Sequence, residues 1–154
     1  MDIRKALEGA LKGRVTVVGV GNAMRGDDGF GPHLIDSLKG KTGAKLINAG
    51  PTPENHIKDI RDSRPDTVLV VDAADLGAEA GAVRLLKKGD VPLYGISTHN
   101  ASLALFFDFL KSDTKAEIYL LAVQPENCCM NSPLSDTLAR RSEELKSALL
   151  ELLK

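Results

Sequence analysis

Residues 14–20 read Val-Thr-Val-Val-Gly-Val after Arg14, and the polar, glycine-rich stretch 21–29 follows them directly. A β-branched and almost wholly apolar run of this length is typical of a strand that is buried on both faces of a parallel sheet. The next apolar positions recur at helical spacing, which predicts a helix whose inward face carries Leu34, Ile35 and Leu38. This part of the chain therefore predicts a strand, a loop and a helix in succession.

The same alternation continues to the end of the chain. Four further apolar runs predict strands, over 44–49, 67–71, 82–86 and 117–123. Apolar spacing predicts further helices, beginning near Ile3, after Pro53, over 103–110 and beyond Pro133. Strands that alternate with helices predict a three-layer α/β/α sandwich around a mostly parallel, twisted sheet of about five strands.

Three of these segments carry more specific expectations. The run at 82–86 is expected to be antiparallel and to form a hairpin with the strand at 67–71, because their connection is too short for a helix. Residues 93–97 fit either a strand or a loop. The helix at 103–110 contains three phenylalanines and has almost no polar face, so we expect it to be deeply buried.

The composition indicates one soluble globular domain over residues 1–154. Hydrophobic residues make up 43% of the chain and charged residues 27%, which are ordinary globular values. Twenty Lys and Arg stand against twenty-one Asp and Glu, for a net charge of −1, so we expect no nucleic-acid partner. We expect a monomer.

The two cysteines and the N-terminus favour a cytoplasmic protein. Cys128 and Cys129 are adjacent, which suits neither a loop-closing disulfide nor a C-x-x-C site, and we interpret them as loop or packing residues. Charged residues interrupt every apolar stretch at the N-terminus, so no signal peptide is expected. No apolar run approaches the 18 residues of a membrane span either, and we expect no membrane association.

Three clusters of polar residues lie at the ends of predicted strands. The clusters span residues 19–29, 72–75 and 97–100. In open α/β sheets, ligands bind beyond the carboxyl ends of the strands, where the strand order reverses. The sequence therefore predicts a functional site built from these clusters. It contains no Gly-x-Ser-x-Gly motif that would favour a serine nucleophile.

The glycine-rich loop departs from both common nucleotide-binding motifs. Gly19 and Gly21 begin a dinucleotide fingerprint, but Met24 occupies the third glycine position and Asn48 stands where the acidic residue is expected. Gly21 and Gly26 have the spacing of a P-loop, yet two aspartates replace its Lys and Ser or Thr. These acidic side chains would repel phosphate, which argues against a nucleotide-binding or flavodoxin-like module.

The acidic and imidazole side chains admit a structural and a metal-binding interpretation. The pair Asp27-Asp28 can cap the next helix, Asp72 can be a strand-end turn residue, and His99 can be a solvated cap. Together, two carboxylates and one imidazole at neighbouring strand ends would suit a divalent transition metal such as nickel or zinc, with coordination positions left open.

Five ordered stretches resemble the signatures of the nickel-iron hydrogenase maturation endopeptidases, and they lie at 18–22, 25–29, 70–73, 98–100 and 124–126. The resemblance runs from about residue 15 into the terminal helix. The acidic pair, Pro53-Glu54-Asn55 and Thr98-His99-Asn100 resemble most the branch that processes the large subunit of hydrogen-evolving hydrogenases of the formate hydrogenlyase type.

The resemblance implies an aspartate-dependent endopeptidase that removes a C-terminal extension from the large-subunit precursor after nickel insertion. It places the metal-binding triad at Asp28, Asp72 and His99, which would hold nickel borne by the substrate or another divalent transition metal. On chemical grounds we also expect Asp27 to be available as a general base.

One position departs from the family pattern. Asn48 stands where relatives often carry Asp, and a role in catalysis has been considered for that residue. If a carboxylate is required there, the chain would be impaired as an enzyme or Asp27 would substitute. A non-catalytic nickel-binding chaperone on the same scaffold is therefore the alternative to a peptidase.

Overall fold

The computed structural model describes residues 2–87, 90 and 100–154, with the backbone alone for residues 100–102. Within these residues it contains five strands: β1 (Val15–Val20), β2 (Lys45–Gly50), β3 (Thr67–Ala73), β4 (Val83–Lys87) and β5 (Glu117–Val123). It also contains five α-helices: α1 (Ile3–Ala10), α2 (Phe30–Leu38), α3 (Ile57–Asp62), α4 (Asn100–Asp113) and α5 (Asp136–Leu152). Short 3₁₀ turns, Gly26–Gly29 and Pro53–His56, precede α2 and α3.

One mixed sheet has the strand order β2-β1-β3-β5-β4. The first four of these strands run parallel, and β4 is antiparallel to β5. Every residue of β1 and β3 is buried, as expected for central strands that are covered on both faces. The prediction of a mostly parallel five-stranded sheet with one antiparallel strand is confirmed.

Apolar clusters cover both faces of the sheet and complete the predicted three-layer sandwich. On one face, alternate strand residues pack with α1, α2 and α5 through Leu7, Phe30, Leu34, Leu145 and Leu149. On the other face, the remaining strand residues pack with α3 and α4 through Ile60, Leu103, Phe106 and Leu110. This division follows the two-residue period of a strand, which sends successive side chains to opposite faces.

Polar side chains begin the first and last helices. Asp2 accepts hydrogen bonds from the amides of Arg4 and Lys5, and Ser135 accepts one from the amide of Leu138. Such N-caps satisfy amides that have no partner within the helix. Over the described part of the chain, no helix has both the length and the apolar character that a membrane crossing requires.

The predicted hairpin between 67–71 and 82–86 is wrong, although the antiparallel direction is right. β4 pairs with β5, which lies between β3 and β4 in the sheet. The connection crosses the end of β5, where the amide of Gly81 donates to the carbonyl of Gln124 and the amide of Gln124 donates to the carbonyl of Ala82. A connection too short for a helix is therefore still long enough to pass over one strand.

The phenylalanine-rich helix is buried on one side only. Phe106 and Phe107 are buried as predicted, but Phe109 is 46% exposed and Leu105 is 53% exposed. Residues 105 and 109 are one turn apart, so they share a face of α4 that no described element covers. Residues 93–97, which fit either a strand or a loop, lie outside the described residues.

Candidate functional site

The candidate site lies where α2 begins, against the carboxyl ends of β1 and β3. A Cβ atom on Gly31 would lie 2.4 Å from the carbonyl oxygen of Val20 and 2.5 Å from that of Val71. The start of α2 therefore touches both strand ends, and the 3₁₀ turn Gly26–Gly29 contacts β3. This packing explains why residue 31 is a glycine and brings the turn that carries Asp28 to the strand that carries Asp72.

Asp28 is buried, with 4% of its surface exposed, and lies in the 3₁₀ turn. Its Oδ2 atom accepts a hydrogen bond of 3.2 Å from the amide of Asn22, in the loop that leaves β1. Neither Asp27 nor Asp28 is the N-cap residue of the following helix, because that position belongs to Gly29. The structural interpretation of this pair as a helix cap is therefore wrong.

Asp72 is the penultimate residue of β3 and is fully buried. It is paired in register with Ala122 of β5, and the other positions of its strand are apolar except Thr67. Asp72 therefore belongs to the strand itself and is not the exposed turn residue that a structural interpretation would predict. A carboxylate in this environment is costly unless hydrogen bonds or a cation compensate it.

His99 lies outside the described residues, directly before the start of α4 at Asn100. Among residues 2–87, 90 and 100–154, no three His, Cys, Asp or Glu side chains are grouped closely enough to hold a metal ion. The described part thus supplies the two aspartates of the predicted triad on contacting elements, and the triad with His99 stays a prediction.

Asp27 binds the loop between β5 and α5. Its Oδ1 atom accepts from the amide of Ser135 at 2.7 Å, and its Oδ2 atom accepts from the amides of Glu126 and Asn127 and the hydroxyl of Ser135 at 2.8–2.9 Å. The side chain is fully buried, and a carboxylate has about four lone-pair sites for such donors. These contacts favour a structural role for Asp27 over the predicted role of a general base.

Cys128, interpreted from the sequence as a loop or packing residue, lies beside the acidic turn. Burial and the nearby charges of Asp28 and Asp27 raise the pKa of its thiol, while a hydrogen bond with the backbone of Asp28 opposes that shift. Cys129 is exposed, and both thiols are free. The stretch 124–126, at the start of this loop, was the sequence signal that the loop belongs to the site.

Gln124, in that stretch, anchors the connection between β3 and β4. Its Oε1 atom accepts from the amide of Leu76 at 2.6 Å and from that of Ala78 at 3.4 Å, and its Nε2 atom donates to Asp75. Asn48 is exposed at the end of β2, where its Oδ1 atom accepts from the amide of Gly50. Gln124 thus orders a loop, and Asn48 bonds within the end of β2, at the same edge of the sheet as Asp28 and Asp72.

The sequence model of the hydrogenase maturation proteases matches residues 32–152. The chain belongs to the hydrogenase maturation protease family. It is therefore a peptidase, as predicted. The segment matched by the family model contains Asp72 and His99 and begins after Asp28, so the acidic pair lies just outside it.

Individual members of the hydrogenase maturation protease family agree with this assignment. The Hydrogenase 3 maturation protease of Escherichia coli K12 is 39% identical over 110 residues, which cover 70% of each chain. The crystal structure of the [NiFe] hydrogenase maturation protease HycI from Thermococcus kodakarensis superposes with a TM-score of 0.87 at 29% identity, covering 96% of this chain and 98% of that one. The solution structure of HycI from Escherichia coli gives a TM-score of 0.78 at 32% identity and 88% coverage of both. These relatives confirm both the predicted family and its hydrogenase 3 branch.

Proposed function

We propose that this chain removes the C-terminal extension from the precursor of a [NiFe] hydrogenase large subunit, and that it recognises the precursor by its bound nickel. The observation that carries the proposal is the pair of buried carboxylates, Asp28 and Asp72, on contacting elements at the carboxyl edge of the sheet. The family supplies the reaction class, and these two side chains supply chemistry suited to a cation.

The donor set is suited to a nickel ion that arrives with the substrate. Asp28 and Asp72 would offer carboxylate oxygens and His99 an imidazole nitrogen, which are ligands that divalent transition metals accept. If ionised together, the two buried carboxylates would repel one another, and a divalent cation bound by both would offset that repulsion and their desolvation. A precursor without nickel would offer no such compensation, so the site would favour the loaded form.

Cleavage itself requires that a water molecule add to the carbonyl carbon of the scissile peptide bond while the amine leaves with a proton. Nickel held by the three side chains would polarise that carbonyl or the attacking water. The hydrogen bonds of Asp27 direct its carboxylate to the loop beyond β5, so the proposal does not use it as the base.

The decisive experiment mixes the purified chain with large-subunit precursor in nickel-loaded and metal-free forms and measures the mass of the product. We expect loss of the C-terminal extension from the nickel-loaded precursor alone. Equal cleavage of the metal-free form would overturn nickel recognition. Tight binding of the loaded precursor without any loss of mass would identify the chain as a nickel-binding chaperone.

A matched pair of variants tests the site. Asp72→Asn keeps the size of a buried side chain and removes its charge, whereas Asp75→Asn makes the same change at an exposed position three residues later. We expect Asp72→Asn to abolish cleavage and Asp75→Asn to retain it, with both proteins folded by circular dichroism. Full activity of folded Asp72→Asn would remove this residue from the site.

A further inference from the structure

Two loops at the candidate site are interlocked by backbone hydrogen bonds. The first, residues 21–29, leaves β1, and the second, residues 124–135, leaves β5; together they are called the loop pair. The amide of Asn131 donates to the carbonyl of Met24 at 2.7 Å. The amide of Gly26 donates to the carbonyl of Ser132 at 3.1 Å. The amide of Asp27 donates to the carbonyl of Asn127 at 2.7 Å. The loop pair therefore forms one connected surface.

The buried carboxylate of Asp27 is the centre of this connection. It accepts four hydrogen bonds from residues 99 to 108 positions further along the chain. Hydrogen bonds to an ionised group are stronger than neutral ones, and leaving a buried charge without them is costly. Ser135 also accepts from the amide of Leu138, so Asp27 fixes the second loop to the first turn of α5.

The loop pair presents two exposed methionines. Met24 is 62% exposed and Met130 is 57% exposed, the highest values among the large apolar side chains of the described residues. They lie on opposite loops, and the hydrogen bond from Asn131 to Met24 holds their backbones together. Methionine is flexible and polarisable, which suits an adaptable contact with an apolar segment of another chain.

This surface is continuous with the candidate site. Met24 stands four residues before Asp28 on the first loop, and Cys128 of the second loop lies against the backbone of Asp28. A peptidase must hold the chain that it cleaves on both sides of the scissile bond, and the carboxylates alone offer that chain no apolar contact. Within the residues that the structure describes, the loop pair is an adjoining surface that does.

We propose that the loop pair is the docking surface for an apolar part of the precursor's C-terminal segment, with Met24 and Met130 as contact residues and Asp27 as the positioning residue that holds the two loops in register. This inference rests on the proposed function, because it assumes that the precursor is the substrate. It adds a contact that does not depend on nickel.

The test measures binding of metal-free precursor, which the proposed function leaves uncleaved, by calorimetric titration. We expect the double variant Met24→Ser/Met130→Ser to bind at least about tenfold more weakly than the unmodified chain. The matched control is Leu105→Ser/Phe109→Ser, which removes two similarly exposed apolar side chains from α4 and should leave the affinity unchanged. Equal affinities for all three proteins, or no binding of metal-free precursor by the unmodified chain, would overturn the inference.

The role of Asp27 is tested by graded variants in the same titration. Asp27→Asn replaces one acceptor oxygen with a donor that faces the loop amides, so it should weaken binding although both methionines remain. Ser135→Ala deletes one of the four donors to Asp27, together with the acceptor for the amide of Leu138, and should have a smaller effect in the same direction. If Asp27→Asn does not fold, the affinity of Ser135→Ala for metal-free precursor provides the test. An unchanged affinity in a folded variant would refute the positioning role of Asp27.

Kinetics with nickel-loaded precursor separate this inference from the proposed function. Loss of docking should raise KM and leave kcat near that of the unmodified chain, because the carboxylates are unaltered. A fall in kcat at constant KM would contradict docking. Failure of the unmodified chain to cleave would overturn the proposed function, whereas the binding of metal-free precursor tests the loop pair by itself.

Discussion

Gly31, in the first turn of α2, lies against the carbonyl oxygen of Val71 near the end of β3. A side chain there would place its Cβ atom 2.5 Å from that oxygen and 2.4 Å from the carbonyl oxygen of Val20. Asp28 stands three residues before Gly31, and Asp72 stands directly after Val71. The close approach of backbone to backbone therefore brings the two carboxylate-bearing segments together.

Gly31→Ala should be strongly destabilising. The added methyl group meets rigid backbone on two strands, so α2 must shift, and we expect a loss of about 3 kcal/mol in the free energy of unfolding, the upper range for overpacking. The matched change Gly9→Ala in α1 meets nothing within 4 Å and should stabilise by about 0.5–1 kcal/mol, because alanine favours a helix over glycine. Urea denaturation measures both, and equal stability of the two variants would contradict the packing.

The strands were predictable because each is a short run rich in apolar residues. The prediction 117–123 matches β5 residue for residue, and the ends of the other four strands were placed within one or two residues. The partner of β4 was not predictable. The short connection between β3 and β4 limits how far apart the two strands can lie, but it does not reveal that β5 lies between them. The exposure of Phe109 was also hidden, because three phenylalanines in one helix do not show which face lacks a neighbour. Both errors concern contacts between elements that are distant in sequence.

The site shows the same limit. Sequence placed Asp28 and Asp72 at neighbouring strand ends, and the structure puts their elements in contact. For Asp27, the residue type marked it as a site candidate, but its hydrogen-bond partners could not be predicted. All four donors lie 99 to 108 residues further along the chain. A buried carboxylate that binds backbone amides and one that activates water look alike in a sequence.

His99→Ala should lower the rate of tail removal from nickel-loaded precursor by more than about 100-fold, since even indirect partners of a metal ligand contribute about 10–100-fold. His33→Ala is the matched control, because His33 is exposed on α2 and should be replaceable without loss. Product mass against time measures both rates. Comparable rates for the two folded variants would exclude His99 from the chemistry.

Cys129 should react with iodoacetamide faster than Cys128 at neutral pH. The reactive species is the thiolate, and burial together with the charges of Asp28 and Asp27 raises the pKa of Cys128, so less of it is ionised below that pKa. The difference should narrow as the pH rises through the pKa of Cys128. Peptide mass mapping after timed alkylation gives the two rates.

Removing one of those charges should accelerate the alkylation of Cys128 selectively. Asp28→Asn lowers the pKa of the Cys128 thiol by deleting a neighbouring negative charge, whereas Asp36→Asn, on the exposed side of α2, should leave the alkylation rate as it was. An identical Cys128 rate in both variants would show that Asp28 does not act on the thiol.

Asn48→Asp should leave cleavage within about twofold of the unmodified chain, because the carboxylate pair Asp28 and Asp72 is already complete without it. The side chain of Asn48 is exposed and its Oδ1 atom accepts from the amide of Gly50, an interaction that aspartate preserves. Asn55→Asp adds the same charge at another exposed position on this edge and controls for a general electrostatic effect on precursor binding. The measurement is kcat/KM on nickel-loaded precursor. A rise of more than about tenfold for Asn48→Asp alone would mean that an acidic residue at this position contributes to catalysis and that asparagine there slows the reaction.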